Sequence, residues 1–150
     1  MAHTLTLLLR MYKIDFISER NNDFVNVYYD TLGILKGKRP FYLYVYLSAI
    51  HSPAQRFYVS EEAAMRNIRL LEKGKRLPVS GESLQMYIEI HKRFKKILAH
   101  DCIPRIEAVR RVIYSPAPRF YFSVKTALRI ISESRNYELC NGHRRKPAEA

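Results

Sequence analysis

"SPAQRFYVS" at residues 52–60 and "SPAPRFYFS" at residues 115–123 write one nine-residue phrase twice, 63 residues apart. Extending the comparison outward, residues 50–68 set against 113–131 share 11 identities in 19 positions, where unrelated segments of ordinary composition share about one. The chain therefore carries an internal duplication, and the flanks of the phrase decide what was duplicated. Upstream of the first copy, "PFYLYVYLSAIH" (40–51) alternates tyrosine with aliphatics and taken alone also fits a strand. Its partner "PRIEAVRRVIY" (104–114) does not: Ile106, Val109 and Ile113 fall at helical spacing, and Glu107, Arg110 and Arg111 take the other face. A proline stands at the start of both segments, where a missing N–H costs a helix nothing. Both are read as helices.

The Ser-Pro step ends each of these helices, because proline disfavours the helical conformation at the residue before it and has no N–H to donate. The phrase then runs extended to Ser60 or Ser123, each an N-cap for a following helix, "EEAAMRNIRLLEKG" (61–74) and "VKTALRIISESRN" (124–136). Val59 with Ala64, and Phe122 with Ala127, have the spacing of a hydrophobic staple. Amphipathic stretches precede each pair, "NNDFVNVYYDTLGILKGKR" (21–39) and "ESLQMYIEIHKRFKKIL" (82–98). The expected fold is all-α: two duplicated three-helix units sharing one core, because a unit of about 60 residues has an apolar face too large to leave wet. The divisions are an N-terminal segment 1–20, unit 1 over 21–76, a Pro/Gly/Ser linker 77–83, unit 2 over 84–140, and a disordered basic tail 141–150. In 1–20, Leu5, Leu8, Leu9, Tyr12 and Phe16 fit a helical stripe, whereas Leu5, Leu7, Leu9 and Met11 fit a strand.

The net charge is +12. Residues 1–75 hold 11 Lys+Arg against 7 Asp+Glu, and residues 76–150 hold 15 against 7, so the second half is the more cationic. Such a surplus attracts polyanions, nucleic acid first. The N-terminal run "TLTLLLRMYKIDFI" is interrupted by Arg10, Lys13 and Asp15 well before the roughly 20 residues a bilayer requires, so neither a transmembrane helix nor a signal peptide is expected and no membrane partner. Cys102 and Cys140 form no C-x-x-C pair, which argues against a disulfide framework or a zinc site and for a cytoplasmic protein.

Candidate binding residues come from three places. The second copy's third helix opens with Val124, Lys125 and Thr126 where the first has Glu61 and Glu62, and carboxylates in a first turn repel phosphate. With Ala127, Leu128 and Ile131 toward the core, Lys125, Arg129, Ser132 and Glu133 share the outer face. Lys92, Lys95 and Lys96 crowd one face of the preceding amphipathic stretch, with Glu89 placed to offset Arg93 only. In the phrase, Arg119 and Tyr121, like Arg56 and Tyr58, either contact phosphate or are structural, the guanidinium donating to carbonyls that end the preceding helix. No P-loop, G-x-G-x-x-G, H-E-x-x-H or G-x-S-x-G is present. His100, Asp101 and Cys102 are adjacent but without a second cluster, so no enzyme, cofactor or metal is expected.

The pair 104–114 and 124–136 resembles a helix-turn-helix, with the second segment as recognition helix, although its connector of about eight residues exceeds the usual three or four and lacks glycine. The phrase P-A-P-R-F-Y-x-S (116–123) resembles one in small basic uncharacterised proteins of gut bacteria, often carried on mobile elements, a family that implies no established activity. The expected function is binding of nucleic acid, duplex DNA ahead of RNA, through the C-terminal unit. The alternative is a protein-interaction or scaffold module in which the tyrosine-rich helix supplies the surface of a homo-oligomer.

Overall fold

The computed structural model describes the backbone of residues 2–36 and 42–143, and the side chains of 16–36 and 42–141. Six helices and no strands are present among them: α1 (Ala2–Ile34), α2 (Tyr42–Ile50), α3 (Glu61–Glu72), α4 (Gly81–His100), α5 (Arg105–Ile113) and α6 (Val124–His143). The fold is all-α. The tyrosine-rich segment is a helix, with Val45, Tyr46, Ala49 and Ile50 buried at i, i+1, i+4, i+5. α1 passes through residue 20 without a break, so the N-terminal segment continues the first amphipathic helix. α4 begins at Gly81, inside the stretch read as linker, and α6 extends to His143, while 144–150 of the expected disordered tail lie outside the described residues.

Both serines cap as expected. Ser60 Oγ accepts from the Ala63 amide at 3.2 Å, and Ser123 Oγ from the Thr126 amide at 3.3 Å. The staple pairs Val59/Ala64 and Phe122/Ala127 are buried beneath them. α3 ends in a glycine cap, with Gly74 at φ +65°, Lys75 N–H donating to Leu70 O at 2.9 Å and Gly74 N–H to Leu71 O at 3.0 Å. No helix among the described residues is long and apolar enough to cross a membrane.

The third helix of each copy leaves its own copy. α1 packs on α2, and α4 on α5, as their order suggests, but α3 lies against α4 and α5 while α6 lies against α2 and α1. Neither α2 and α3 nor α5 and α6 form a packed pair. Each three-helix group thus combines two helices of one copy with the third helix of the other. An extended connector of eight residues reaches roughly 26 Å, enough to carry the chain across to the other copy. The two groups close over one hydrophobic cluster that includes residues of all six helices and both connectors.

The connectors meet where they cross. Ala54 and Ala117 exchange two backbone hydrogen bonds of 3.0 Å, a single antiparallel bridge. The Phe57 amide donates to Ile113 O at 3.0 Å and the Phe120 amide to Ile50 O at 2.9 Å, so each copy satisfies a carbonyl in the last turn of the other copy's helix. Phe57 stacks on Tyr121 and Tyr58 on Phe120, at centroid distances of 6.1 and 6.2 Å. Every one of these contacts maps onto its partner by the 63-residue offset, which makes the crossing pseudo-twofold symmetric.

Phe57 and Phe120 are buried at this crossing, so Phe120→Ala should cost about 3–5 kcal/mol in chemical denaturation. The exchanged third helices also make the halves interdependent. Fragments 1–80 and 81–150 should be largely unfolded alone and regain helical circular dichroism on equimolar mixing, and the intact chain should unfold in one transition.

Candidate functional site

Arginines and lysines have separated in this structure. Among the described residues every ion pair is made by an arginine: Arg56–Glu19, Arg93–Glu89, Arg105–Glu72, Arg110–Glu61, Arg111 with Asp101 and Glu107, Arg119–Glu82 and Arg129–Glu133. The planar guanidinium fork suits carboxylates geometrically, whereas the compact ammonium holds its water. Lys36, Lys73, Lys75, Lys92, Lys95, Lys96 and Lys125 are all exposed. The carboxylates are therefore committed largely to arginines, and the surplus charge stands in solvent on the lysines and on Arg66, Arg69, Arg76 and Arg135.

Lys92, Lys95 and Lys96 lie at i, i+3, i+4 on the outer side of α4. Between them Arg93 points inward, donating to Glu89 at 2.9 Å and to the Pro116 carbonyl at 2.8 Å beside the Phe57 ring. It fastens α4 to the second connector and leaves the lysines as the free cations of that face. Burial, and then the nearby Lys95 ammonium, hold the His91 imidazole below its ordinary pKa.

Lys125 and Arg129 are exposed on the first turns of α6, together with Ser132 and Glu133. Leu128 was expected to be buried there and is instead 38% exposed, its place in the core taken by Ile130. The buried stripe of α6 is Ala127, Ile130 and Ile131, the registers that α3 buries as Ala64, Asn67 and Ile68. Arg129 has Glu133 within 4.0 Å, whereas Arg66 at the same place in α3 has Leu70 at that offset and makes no ion pair. Glu61 of α3 is itself engaged by Arg110. The acidic opening of the first copy is therefore partly neutralised, and the contrast between the copies is smaller than their sequences suggest.

α6 does not pack on α5, so the geometry of a helix-turn-helix pair is absent here. Nor does α6 pack on α4. The two lysine-bearing helices belong to different three-helix groups.

Arg119 and Tyr121 belong to the crossing. The Arg119 guanidinium is not spent on carbonyls ending the preceding helix; it pairs with Glu82 and lies 4.9 Å over the Tyr121 ring. Arg56 mirrors it, 3.7 Å from Glu19, with its guanidinium between the Phe16 and Tyr114 rings at 4.8 and 4.5 Å. Glu19 and Glu82 are also 63 residues apart, an identity that lies outside the 19-residue alignment and was the available sign of this pairing. Tyr58 donates to Asp23 at 2.5 Å, and burial with that carboxylate pushes its hydroxyl well above the ordinary phenol pKa. For its counterpart Tyr121, the residue 63 positions after Asp23 is Met86, which has no carboxylate to offer.

Cys102 and Cys140 are free and exposed, and the described residues contain no group of His, Cys, Asp or Glu able to hold a metal ion. The chain matches no protein-family model, no curated protein and no solved structure.

Arg119→Ala removes a partly exposed ion pair, typically about 0.2–1 kcal/mol, and an Arg–ring contact of about 0.5–1 kcal/mol. A loss of roughly 1–2 kcal/mol is expected in urea denaturation.

Proposed function

We infer that the protein binds nucleic acid, duplex DNA ahead of RNA, with the outer face of α4 as the main contact and the opening of α6 as a second. The observation that carries this is the separation of charge: arginines hold the carboxylates, and lysines stand unpaired in solvent, three of them side by side on one helical face. Lysines on an exposed helix meet phosphate oxygens, and such contacts position a protein on a duplex without reading its sequence. Lys125 and Arg129 add cations at a helix N-terminus, where the dipole also favours an anion. Binding of this kind releases counterions, so affinity falls steeply with salt.

The triple substitution Lys92→Gln, Lys95→Gln, Lys96→Gln should reduce the slope of log affinity against log salt by about 3 and weaken binding to all sequences alike. Lys125→Gln with Arg129→Gln should reduce it by about 2. A duplex oligonucleotide in fluorescence anisotropy, with a matched RNA duplex alongside, makes the measurement. Absence of binding at about 50 mM salt, where the electrostatic contribution is strong, overturns the assignment.

A homo-oligomeric interaction module is the alternative, supported by one contrast between the copies. The outer positions of α2 are Tyr42, Leu43, Tyr44 and Leu47, all exposed, whereas α5 has Arg105, Ile106, Glu107 and Arg110 at the same places. In α5 the arginines reach Glu72 and Glu61 of α3. α2 has no such cover from α6, which offers Arg135 and Val124 at those registers. Self-association through this face would persist in high salt, unlike nucleic-acid binding.

A further inference from the structure

A cavity of about 210 Å³ opens beside the crossing. Three arginines line it: Arg20 from α1, Arg56 from the first connector and Arg119 from the second. Tyr58, Tyr121 and Tyr87 bring three phenol groups, and Phe57, Val59, Val79 and Met86 supply an apolar wall. Arginines and phenols set in a partly apolar wall are side chains that hold a small organic anion.

The cations there are incompletely matched. Arg119 has Glu82, and Arg56 has Glu19 only at 3.7 Å, with its Nη2 buried and without a hydrogen-bond partner. Arg20 has no carboxylate within 4.0 Å among the described residues; its guanidinium donates to Asn21 Oδ1 at 2.9 Å and lies 5.2 Å over the Phe122 ring. Burial, and then the charge of Arg129, push its pKa down. Asp23 is occupied by Tyr58.

The duplication supplies an internal control on what the fold itself needs here. Tyr87 and the fully buried Asn67 correspond, at the 63-residue offset, to Phe24 and Ile130, which are both buried in the core of the other group. Phe24 and Ile130 show that apolar residues close that position. In its polar counterpart Asn67 is fully buried and its Oδ1 has no hydrogen-bond partner. A polar pair with an unsatisfied atom, set behind a tyrosine on the cavity wall, is an expense that packing does not explain.

We propose that this cavity is a binding site for a small organic anion, a carboxylate or phosphate on a compact ring, with Arg20 and Arg56 taking the charged group and the Tyr87–Asn67 pair orienting a hydroxyl toward the ring's other end. The cavity, at about 210 Å³, is small, which favours a compact molecule. The site is independent of the lysines of α4.

Isothermal titration of the full chain with phenyl phosphate, benzoate and neutral benzyl alcohol tests it. One equivalent of at least one anion should bind, with benzyl alcohol failing, and whichever anion binds identifies the charged group. Arg20→Gln, at a partly exposed position, should weaken that binding by about tenfold or more. Asn67→Ile with Tyr87→Phe rebuilds the apolar pair of the other group, so it should hold or raise the melting temperature while also weakening the anion by about tenfold. The triple Lys→Gln variant of α4 should bind the anion as the parent does, which separates this site from the nucleic-acid surface. No heat from either anion at about 10 mM, equal binding of benzyl alcohol, or unchanged affinity in both Arg20→Gln and the Asn67/Tyr87 variant overturns the proposal.

Discussion

Four backbone hydrogen bonds at the connector crossing determine where every helix goes. Ala54 and Ala117 bind each other, and the amides of Phe57 and Phe120 bind carbonyls at the ends of the opposite copies' helices. A helix that stops inside a protein leaves carbonyls that need partners, and here the partner is supplied from across the pseudo-axis. Once those amides are committed, each connector must leave on the far side, and α3 and α6 land on the other copy's helix pair. The phenylalanines that follow fill the space between the two groups, so backbone satisfaction and core burial reinforce one another.

Electrostatics are built on that frame with a division of labour. Arg56, Arg93 and Arg119 sit against aromatic rings as well as carboxylates or carbonyls, holding connectors to α1 and α4. Their charges are absorbed into the structure. The exposed lysines, with Arg66, Arg69, Arg76 and Arg135, are left to set the external field, which acts over about 8 Å at physiological salt. Net charge alone does not distinguish the two populations; their partners do.

Much of the fold was legible in the sequence because it was written twice. The helix over 42–50 was ambiguous by periodicity and was decided by the charged spacing of its counterpart, and Ser60, Ser123 and their staples are local signals read from a few residues. The exchange of third helices was not legible, since nothing in "SPAQRFYVS" distinguishes a link that turns back from one that crosses over. Consecutive elements usually neighbour each other, and that expectation placed α6 on α5. Leu128 stays exposed because the buried stripe runs through Ala127, Ile130 and Ile131, which leaves it to one side. On the site side, the exposure of Lys92, Lys95 and Lys96 followed from the absence of acidic partners. The cavity did not, because Arg20, Arg56 and Arg119 come from three separate segments and Asn67 looks like any polar residue in an amphipathic helix.

Joining the two copies in one chain has a consequence for how such an architecture can specialise. In a dimer of identical subunits every substitution is made twice, so a change that improves one half is imposed on the other, and any off-axis pocket occurs in duplicate. Covalent fusion lifts that constraint. One half retains Phe24 and Ile130 as plain filling while the other carries Tyr87 and Asn67, and one outer helix is lined with tyrosines while its counterpart is laced with ion pairs. The scaffold stays nearly twofold because its backbone bonds demand it, but its surfaces need not be, and a single chain can present one of each instead of two of either.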